Sequence, residues 1–310
     1  MLLIAAVLAV LPAVLGRMHG MYVWTEDRQA DSRPSGCGAL GSTVFDPRRD
    51  ADVDALAAAL PAGAGGDDAL PMLLVNGWPH LLPHAAVGKL ARGAAVYALF
   101  TSPDVRLVDK VARANAGAGA GERYAGIALN DERYTSLDAH REVVQAAHKV
   151  GLKVHCSLGF WWKTNDEAVQ VCDSVDVQAY FTDPATVVKV ARPAVDLARK
   201  AGKPVFIAME TDDVSFIGPC KKESGTALLA CVDRYSWFRK GHAAMERAAD
   251  SVAASLDVDG FILHYWRRFV GAGGTGVNMQ SCGVDVDRLW PVTPASGGTL
   301  LTSRRDFKRK

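Results

Sequence analysis

YAGIALNDE, residues 124–132, is the stretch of sequence that decides the fold. Its apolar run is typical of a strand buried on both faces, as in a parallel sheet. The run ends abruptly in Asn130, Asp131 and Glu132, and a stretch of helical character follows at Ser136–Val150. Strand, acidic end and helix together form one βα unit. Because α/β barrels place their functional groups at the carboxyl ends of the strands, this unit predicts both a parallel sheet and a site.

Seven further apolar stretches repeat this pattern along the chain. Strands are predicted at His19–Trp24, Met72–Asn76, Ala94–Phe100, Leu152–Leu158, Ser174–Tyr180, Pro204–Glu210 and Gly260–Trp266. Helices are predicted at Ala51–Leu60, Leu82–Arg92, Pro103–Ala114, Thr164–Cys172, Pro184–Ala201 and Arg234–Leu256. Eight strands, mostly separated by helices, predict an α/β protein of the (β/α)8 TIM-barrel class. An open doubly wound sheet is the alternative, but no G-x-G-x-x-G follows the first strand.

The composition is that of an ordinary globular protein. The 310 residues are 49% hydrophobic and 22% charged, which is enough apolar material for a large core. The net charge of +1 gives no indication of a nucleic-acid partner. Neither a repeat nor a second apolar core is evident. Residues 17–295 are therefore predicted to form a single barrel domain, and the basic tail, residues 296–310, is predicted to be disordered.

The apolar run Leu2–Leu15 is uncharged and is shorter than the roughly 20 residues that a membrane-spanning helix needs. Gly16 and Arg17 follow it directly, which favours a secretory signal peptide over residues 1–16, although no basic residues precede the run. A buried N-terminal helix or an uncleaved anchor is the alternative. The prediction is a secreted, extracellular or lumenal protein without a stable membrane span.

Six cysteines, an even number, agree with an oxidising compartment, but their spacing does not determine which of them pair. We expect Cys220 to pair with Cys231 across a single loop, and Cys37 to pair with Cys282. Buried free thiols are the alternative, above all for Cys156, which falls inside a predicted strand. The absence of any C-x-x-C pair argues against a zinc site.

If the barrel closes, the strand ends meet at one rim that carries carboxylates and amides among aromatic rings. Aromatic faces stack on the C–H faces of sugar rings, and paired carboxylates can break a glycosidic bond. The rim is poor in lysine and arginine, which argues against a phosphate substrate. The candidate catalytic residues are Glu132, Glu210 and Asp131, and the candidate substrate-binding residues are Trp24, Asn130, Trp161, Trp162, Gln178, Tyr180, His264, Tyr265 and Trp266.

Asn130-Asp131-Glu132 after strand four and Glu210 at the end of strand seven resemble a large clan of retaining glycoside hydrolase barrels. That clan carries its acid/base on strand four and its nucleophile on strand seven. Asn directly precedes the acid/base Glu in the clan, whereas Asp131 intervenes here. The aromatic end of the last strand, His264-Tyr265-Trp266, is similar as well. The resemblance implies a secreted glycosidase that acts on an oligo- or polysaccharide, with Glu132 or Asp131 as the acid and no cofactor.

Two other functions are open at this stage. A non-catalytic, lectin-like barrel would bind carbohydrate on the same rim, and the inserted Asp131 keeps that alternative open. A metal-dependent hydrolase or lyase would hold one ion with Asp131, Glu210, Asp212 and His264. A serine hydrolase is excluded because no G-x-S-x-G occurs in the chain.

Overall fold

A closed barrel of parallel strands forms the centre of the protein. The computed structural model describes residues 18–23, 34–35, 38–39, 47–58, 60, 71–77, 80–131, 137–159, 165–211, 220, 222–237 and 239–264. The barrel strands are β1 (Met18–Val23), β2 (Met72–Asn76), β3 (Ala95–Phe100), β4 (Gly126–Leu129), β5 (Lys153–Gly159), β6 (Ser174–Gln178), β7 (Val205–Glu210) and β8 (Gly260–His264). Each pairs in parallel with the next, and β8 pairs with β1 to close the barrel. The predicted (β/α)8 TIM barrel is confirmed.

Helices surround the barrel. Those within the described part of the chain are α1 (Asp50–Ala58), α2 (His84–Ala91), α3 (Val105–Ala116), α4 (Leu137–Lys149), α5 (Asn165–Val171), α6 (Pro184–Lys200), α7 (Gly225–Tyr235) and α8 (His242–Ala253). A short antiparallel ribbon pairs Pro34–Ser35 with Gly38–Ala39. None of the helices described is long and apolar enough to cross a membrane. The predicted leader, residues 1–16, and the predicted tail, residues 296–310, lie outside the described residues.

The single helix predicted over Arg234–Leu256 is wrong, because the chain leaves the helix after Tyr235 and starts another at His242. Gly241 has a φ of 82°, a conformation that a helix interior does not allow. The connection between the helices is buried at Trp237, whose backbone N–H donates to the carbonyl oxygen of Glu210 at 3.0 Å. The interruption therefore attaches the α7–α8 connection to the end of β7.

Side chains alternate along each strand between two packed layers. Outward-facing residues such as Ile127 and Leu263 pack against the helices, and inward-facing residues such as Leu74, Phe206 and Ile262 fill the barrel. Both faces of every strand are thus buried. This explains why the strands read as continuous apolar runs rather than as alternating patterns.

Gly126 begins β4 at a point where no side chain fits. A Cβ atom there would lie 2.3 Å from the carbonyl oxygen of Lys153 and 2.5 Å from the ring of Tyr97. A paired backbone oxygen cannot move aside, so we expect Gly126→Ala to lower the free energy of unfolding by about 3 kcal/mol. Urea denaturation measures the change. Gly121→Ala is the matched control, because nothing lies within 4 Å of its Cβ position; similar losses at the two sites would contradict the prediction.

Two disulfide bonds join described residues. Cys220 pairs with Cys231, as predicted, with 5.6 Å between the Cα atoms, although Cys231 lies in α7 and not in a loop. Cys156 pairs with Cys172, with 6.1 Å between the Cα atoms, which connects β5 to the end of α5. A free thiol at Cys156, the alternative considered from the sequence, is therefore wrong. Cys37 and Cys282, the other predicted pair, lie outside the described residues.

Glu246 and His242 face each other on one side of α8, with 3.5 Å between Oε1 and Nε2. Burial, followed by repulsion from Asp250, raises the pKa of Glu246 to about 7, and burial lowers the pKa of His242 to about 4. The contribution of Glu246 to stability is full below pH 4.5 and is lost as the pH rises to about 7. The contribution of His242 runs the other way: it is full above pH 6.5 and is lost as the pH falls to about 4.

Glu246→Gln is expected to stabilise the protein at pH 8 by about 1–2 kcal/mol and to leave its stability unchanged at pH 4.5. One pKa unit corresponds to about 1.4 kcal/mol. The expected gain is smaller than the full pKa rise of Glu246 would imply, because its side chain keeps some contact with solvent. Urea denaturation at both pH values tests the expectation. Glu223→Gln changes an exposed carboxyl and serves as the control. A stability difference that is the same at both pH values would refute the assignment to Glu246.

Candidate active site

Polar side chains occupy the inward-facing positions at the carboxyl ends of four strands. They are Asn130 after β4, Gln178 on β6, Glu210 on β7 and His264 on β8. Each alternates in phase with the interior side chains of the barrel, so it points inward. All four are at most 6% exposed. These four predicted site residues therefore lie at the same rim.

Glu210 and His264 are directly paired across the β7–β8 ladder. Nδ1 of His264 lies 2.8 Å from Oε2 of Glu210, and both side chains are buried. The backbone N–H of Thr211 donates to the other carboxylate oxygen, Oε1, at 2.9 Å. Both oxygens thus have a protein donor, which holds the carboxylate in one orientation.

The backbone around this pair is held as well. The Thr211 hydroxyl donates to the carbonyl oxygen of His264 at 2.6 Å, which ties the ends of β7 and β8 together. The carbonyl oxygen of Glu210 accepts from Trp237 N at 3.0 Å and from the Ser236 hydroxyl at 3.4 Å. The α7–α8 connection, which the sequence did not predict, therefore supports the candidate catalytic carboxylate.

Asn130 and Gln178 form an amide pair at the ends of β4 and β6. Nε2 of Gln178 donates to Oδ1 of Asn130 at 2.7 Å, across the intervening strand β5. Both side chains are 1% exposed. Primary amides carry both donors and acceptors, so such a pair can bind a hydroxyl-rich ligand in either hydrogen-bonding sense.

Two tyrosine rings flank His264. The Tyr180 ring lies 5.2 Å from the imidazole, and the Tyr22 ring lies 4.9 Å away with an interplanar angle of 66°, an edge contact. Tyr180 is partly exposed, whereas Tyr22 is fully buried. The structure thus brings together three predicted site residues, Glu210, His264 and Tyr180, and adds Tyr22, which the sequence analysis missed.

Asp131 faces the helix layer. Its Oδ2 lies 3.9 Å from Nε2 of His140 on α4, and both side chains are buried. The remaining predicted site residues lie outside the described residues; they are Trp24, Glu132, Trp161, Trp162, Tyr265 and Trp266. Asp131 is therefore the one strand-four carboxylate whose surroundings are described, and they belong to the barrel–helix interface.

A second polar group lies deeper in the barrel, and we call it the Asp176 cluster: Tyr22, His155, Ser157 and Asp176. Oδ1 of Asp176 accepts from the Tyr22 hydroxyl, the Ser157 hydroxyl and Nε2 of His155, each at 2.8 Å. All four side chains are at most 2% exposed. His155 is fully buried in this cluster, and its Nδ1 lies 2.8 Å from the Ser174 hydroxyl.

The sequence contained a sign of this cluster. Asp176 stands in the middle of the apolar strand SVDVQ, in phase with Gln178, where a barrel interior ordinarily has an apolar residue. Burial and the charge of Asp176 raise the pKa of Tyr22 well above its usual value. The phenol is therefore protonated at neutral pH and donates to Asp176.

The described residues contain no group of three or more His, Cys, Asp or Glu side chains arranged to hold a metal ion. Glu210 and His264, two members of the metal set considered from the sequence, bond to each other. A third member, Asp131, faces α4, and Asp212 lies outside the described residues. The described geometry therefore gives the metal-dependent alternative no support.

The side chains at this rim have the chemistry that suits an uncharged, hydroxyl-rich ligand beside a carboxylate of defined orientation. The amide pair and Tyr180 supply hydrogen-bonding groups, and Glu210 supplies an anion that can attack carbon or accept a proton. Bond cleavage at a glycosidic centre also needs an acid on the opposite side of the bond.

The comparisons with known proteins establish the fold and do not establish the function. No family model and no curated protein matches the chain. It is similar to the solved structure of a provisionally assigned alpha-L-fucosidase from Bacteroides thetaiotaomicron, at 12% identity and a TM-score of 0.53, over 92% of this chain and 98% of that one. It is also similar to a GH113 beta-1,4-mannanase, at 12% identity and a TM-score of 0.50, over 81% and 89% of the two chains. The solved structures that share its barrel thus include glycoside hydrolases.

Proposed function

We propose that the protein is a glycoside hydrolase that cleaves an oligo- or polysaccharide at the carboxyl-terminal rim of the barrel. One observation carries the proposal: the buried carboxylate of Glu210, at the end of β7, is oriented by His264 at 2.8 Å and by Thr211 N at 2.9 Å. Holding a buried anion at a strand end is costly, and the barrel provides two donors for it. The barrels of similar solved structures support the proposal at the level of the fold.

Glu210 is the proposed nucleophile, or the base that activates water. In the retaining mechanism it attacks the anomeric carbon and forms a glycosyl-enzyme intermediate, which water then hydrolyses. The His264 N–H at Oε2 fixes the rotamer of the carboxylate, so that little reorganisation is needed when the substrate binds.

Glu132 is the proposed general acid. Asp131 contacts His140 of α4, which makes it unsuited to protonate a leaving group inside the barrel. Glu132 stands two residues after Asn130, the spacing at which side chains of an extended chain share a face. A separation of about 5–5.5 Å between the Glu132 and Glu210 carboxyl groups belongs to a retaining enzyme, and about 6.5–9.5 Å to an inverting one.

The substrate-binding roles are proposed for the same rim. The Asn130–Gln178 pair and Tyr180 would bond to sugar hydroxyls, and the rings of Trp24, Trp161, Trp162, Tyr265 and Trp266 would stack on sugar faces. The two disulfides are compatible with an extracellular protein, because such bonds persist in oxidising compartments. Secretion stays a prediction from the apolar run Leu2–Leu15.

The test is product formation from a panel of glycans and aryl glycosides. The panel starts with alpha-L-fucosides and beta-1,4-mannan, the substrates that the names of the two similar structures indicate. New reducing ends are measured, and proton NMR of the first product reports whether the anomeric configuration is retained. Release of product that survives a chelator supports the proposal. Glycan binding by calorimetry without any product would overturn it and leave the lectin-like barrel.

A further inference from the structure

The Asp176 cluster fills the interior of the barrel with polar groups, whose burial costs free energy. Well-packed apolar side chains of similar volume are often as stabilising as a buried ionic network, or more so. Oδ1 of Asp176 takes all three donors, and Oδ2 has no hydrogen-bond partner among the described residues. A buried carboxylate held at this cost is a candidate for a role beyond packing.

Tyr22 connects this cluster to the candidate active site. Its hydroxyl donates to Asp176 at 2.8 Å and lies against the hydroxyl oxygen of Ser157. The edge contact between its ring and that of His264 spans 4.9 Å between centroids. His264 in turn bonds to Glu210. A continuous series of contacts therefore runs from the carboxylate inside the barrel to the carboxylate at the rim.

The Tyr22 ring is held in place by the bond of its hydroxyl to Asp176 and by the edge contact with His264. It is fully buried, and burial raises its pKa, which keeps the phenol a donor at neutral pH. The hydroxyl bonds fix the tilt of the ring, and the tilt sets where its edge meets the imidazole. A displaced imidazole would carry its Nδ1–H away from Oε2 of Glu210, and a displacement of about 1 Å can cost about 100-fold in rate.

We propose that Tyr22, anchored on Asp176, is a positioning residue that fixes the His264 ring and, through it, the orientation of Glu210. The kinetic part of this inference rests on the proposed glycosidase function. The geometric part, that the Tyr22 hydroxyl determines the state of the His264–Glu210 bond, does not depend on it.

Tyr22→Phe is the central variant, because it removes the hydroxyl and keeps the ring. NMR of protein labelled with ¹⁵N-histidine reports on Nδ1 of His264, whose resonance is assigned by its absence from His264→Asn. We expect Tyr22→Phe to shift or broaden this resonance. On any substrate that the unmodified protein cleaves, kcat should fall about 10- to 100-fold with KM within about twofold.

Tyr124→Phe is the matched control. Tyr124 is also buried, and its hydroxyl accepts one hydrogen bond, from Leu82 N at 2.8 Å, in the outer layer of the protein. The control should leave the His264 resonance and kcat unchanged. Unchanged values in Tyr22→Phe, or equal changes in both variants, would overturn the inference, since a general loss of packing would affect them alike.

Ser157→Ala provides a second test of the inference in case Tyr22→Phe does not fold. It removes the hydroxyl that lies against that of Tyr22 and one donor to Asp176, and it should move the His264 resonance in the same direction by a smaller amount. No movement would overturn the inference. Failure of the proposed function is a separate outcome. In that case the unmodified protein cleaves no glycan, and the NMR comparison alone decides whether Tyr22 positions His264.

Discussion

Glu210→Gln is expected to lower kcat/KM for glycoside hydrolysis by about 10³-fold or more while the protein stays folded. The amide has the size of the carboxylate, and its oxygen can still accept from Thr211 N. It carries no negative charge, so it can neither attack the anomeric carbon nor take a proton from water. Loss of such a group in the transition state reduces kcat, whereas ground-state binding of the sugar changes little.

Kinetics on the best substrate of the panel measure this effect, and calorimetry with the same glycan measures the binding that should persist. Glu142→Gln is the matched control, since it makes the same change at an exposed position of α4. Glu210→Ala is the complement: formate added to this variant should restore part of the turnover by standing in for the missing carboxylate. A Glu210→Gln protein with more than about a tenth of the original activity would exclude Glu210 as the nucleophile or base.

Arg199→Met is expected to lower the free energy of unfolding by about 3 kcal/mol. Nη1 of Arg199 lies 2.7 Å from Oδ2 of Asp259, a carboxylate whose side chain is fully buried. Removing the guanidinium takes this charged donor away from Asp259, whose Oδ2 still accepts from the Val205 N–H at 3.0 Å. Breaking a buried pair costs about 3–5 kcal/mol, and the partial exposure of Arg199 places this case at the lower end.

Urea denaturation provides the free energies, and two variants provide the controls. Arg106→Met breaks the ion pair with Asp104, in which the Arg106 side chain is 89% exposed, and should cost far less than Arg199→Met because solvent screens the pair. The double variant Arg199→Met/Asp259→Asn removes the buried charge together with its partner and should recover part of the loss. If the double variant is no more stable than Arg199→Met alone, the loss does not come from the uncompensated charge.

Much of the fold was predictable because it depends on local patterns. A strand that is buried on both faces must be apolar throughout, so each strand is visible as a short run bounded by polar residues. The end of each run also indicates which residues lie at the carboxyl-terminal rim, and this assigned Gln178, Glu210 and His264 to the rim. The break between α7 and α8 escaped prediction, because Trp237 docks on the Glu210 carbonyl, a contact that no local pattern records.

The sequence by itself determined the architecture of this protein and the rim positions of Glu210 and of the amides Asn130 and Gln178. Only the tertiary structure decided which of those side chains meet. Glu210 and His264 are 54 residues apart, and Tyr22 and Asp176 are 154 apart, yet each pair is in contact. Likewise Asp131 faces α4 although it is adjacent in sequence to Asn130, which faces the interior. The physical reason is that periodicity gives the phase of each strand, whereas contacts across the barrel depend on the stagger and tilt at which the closed strands pair.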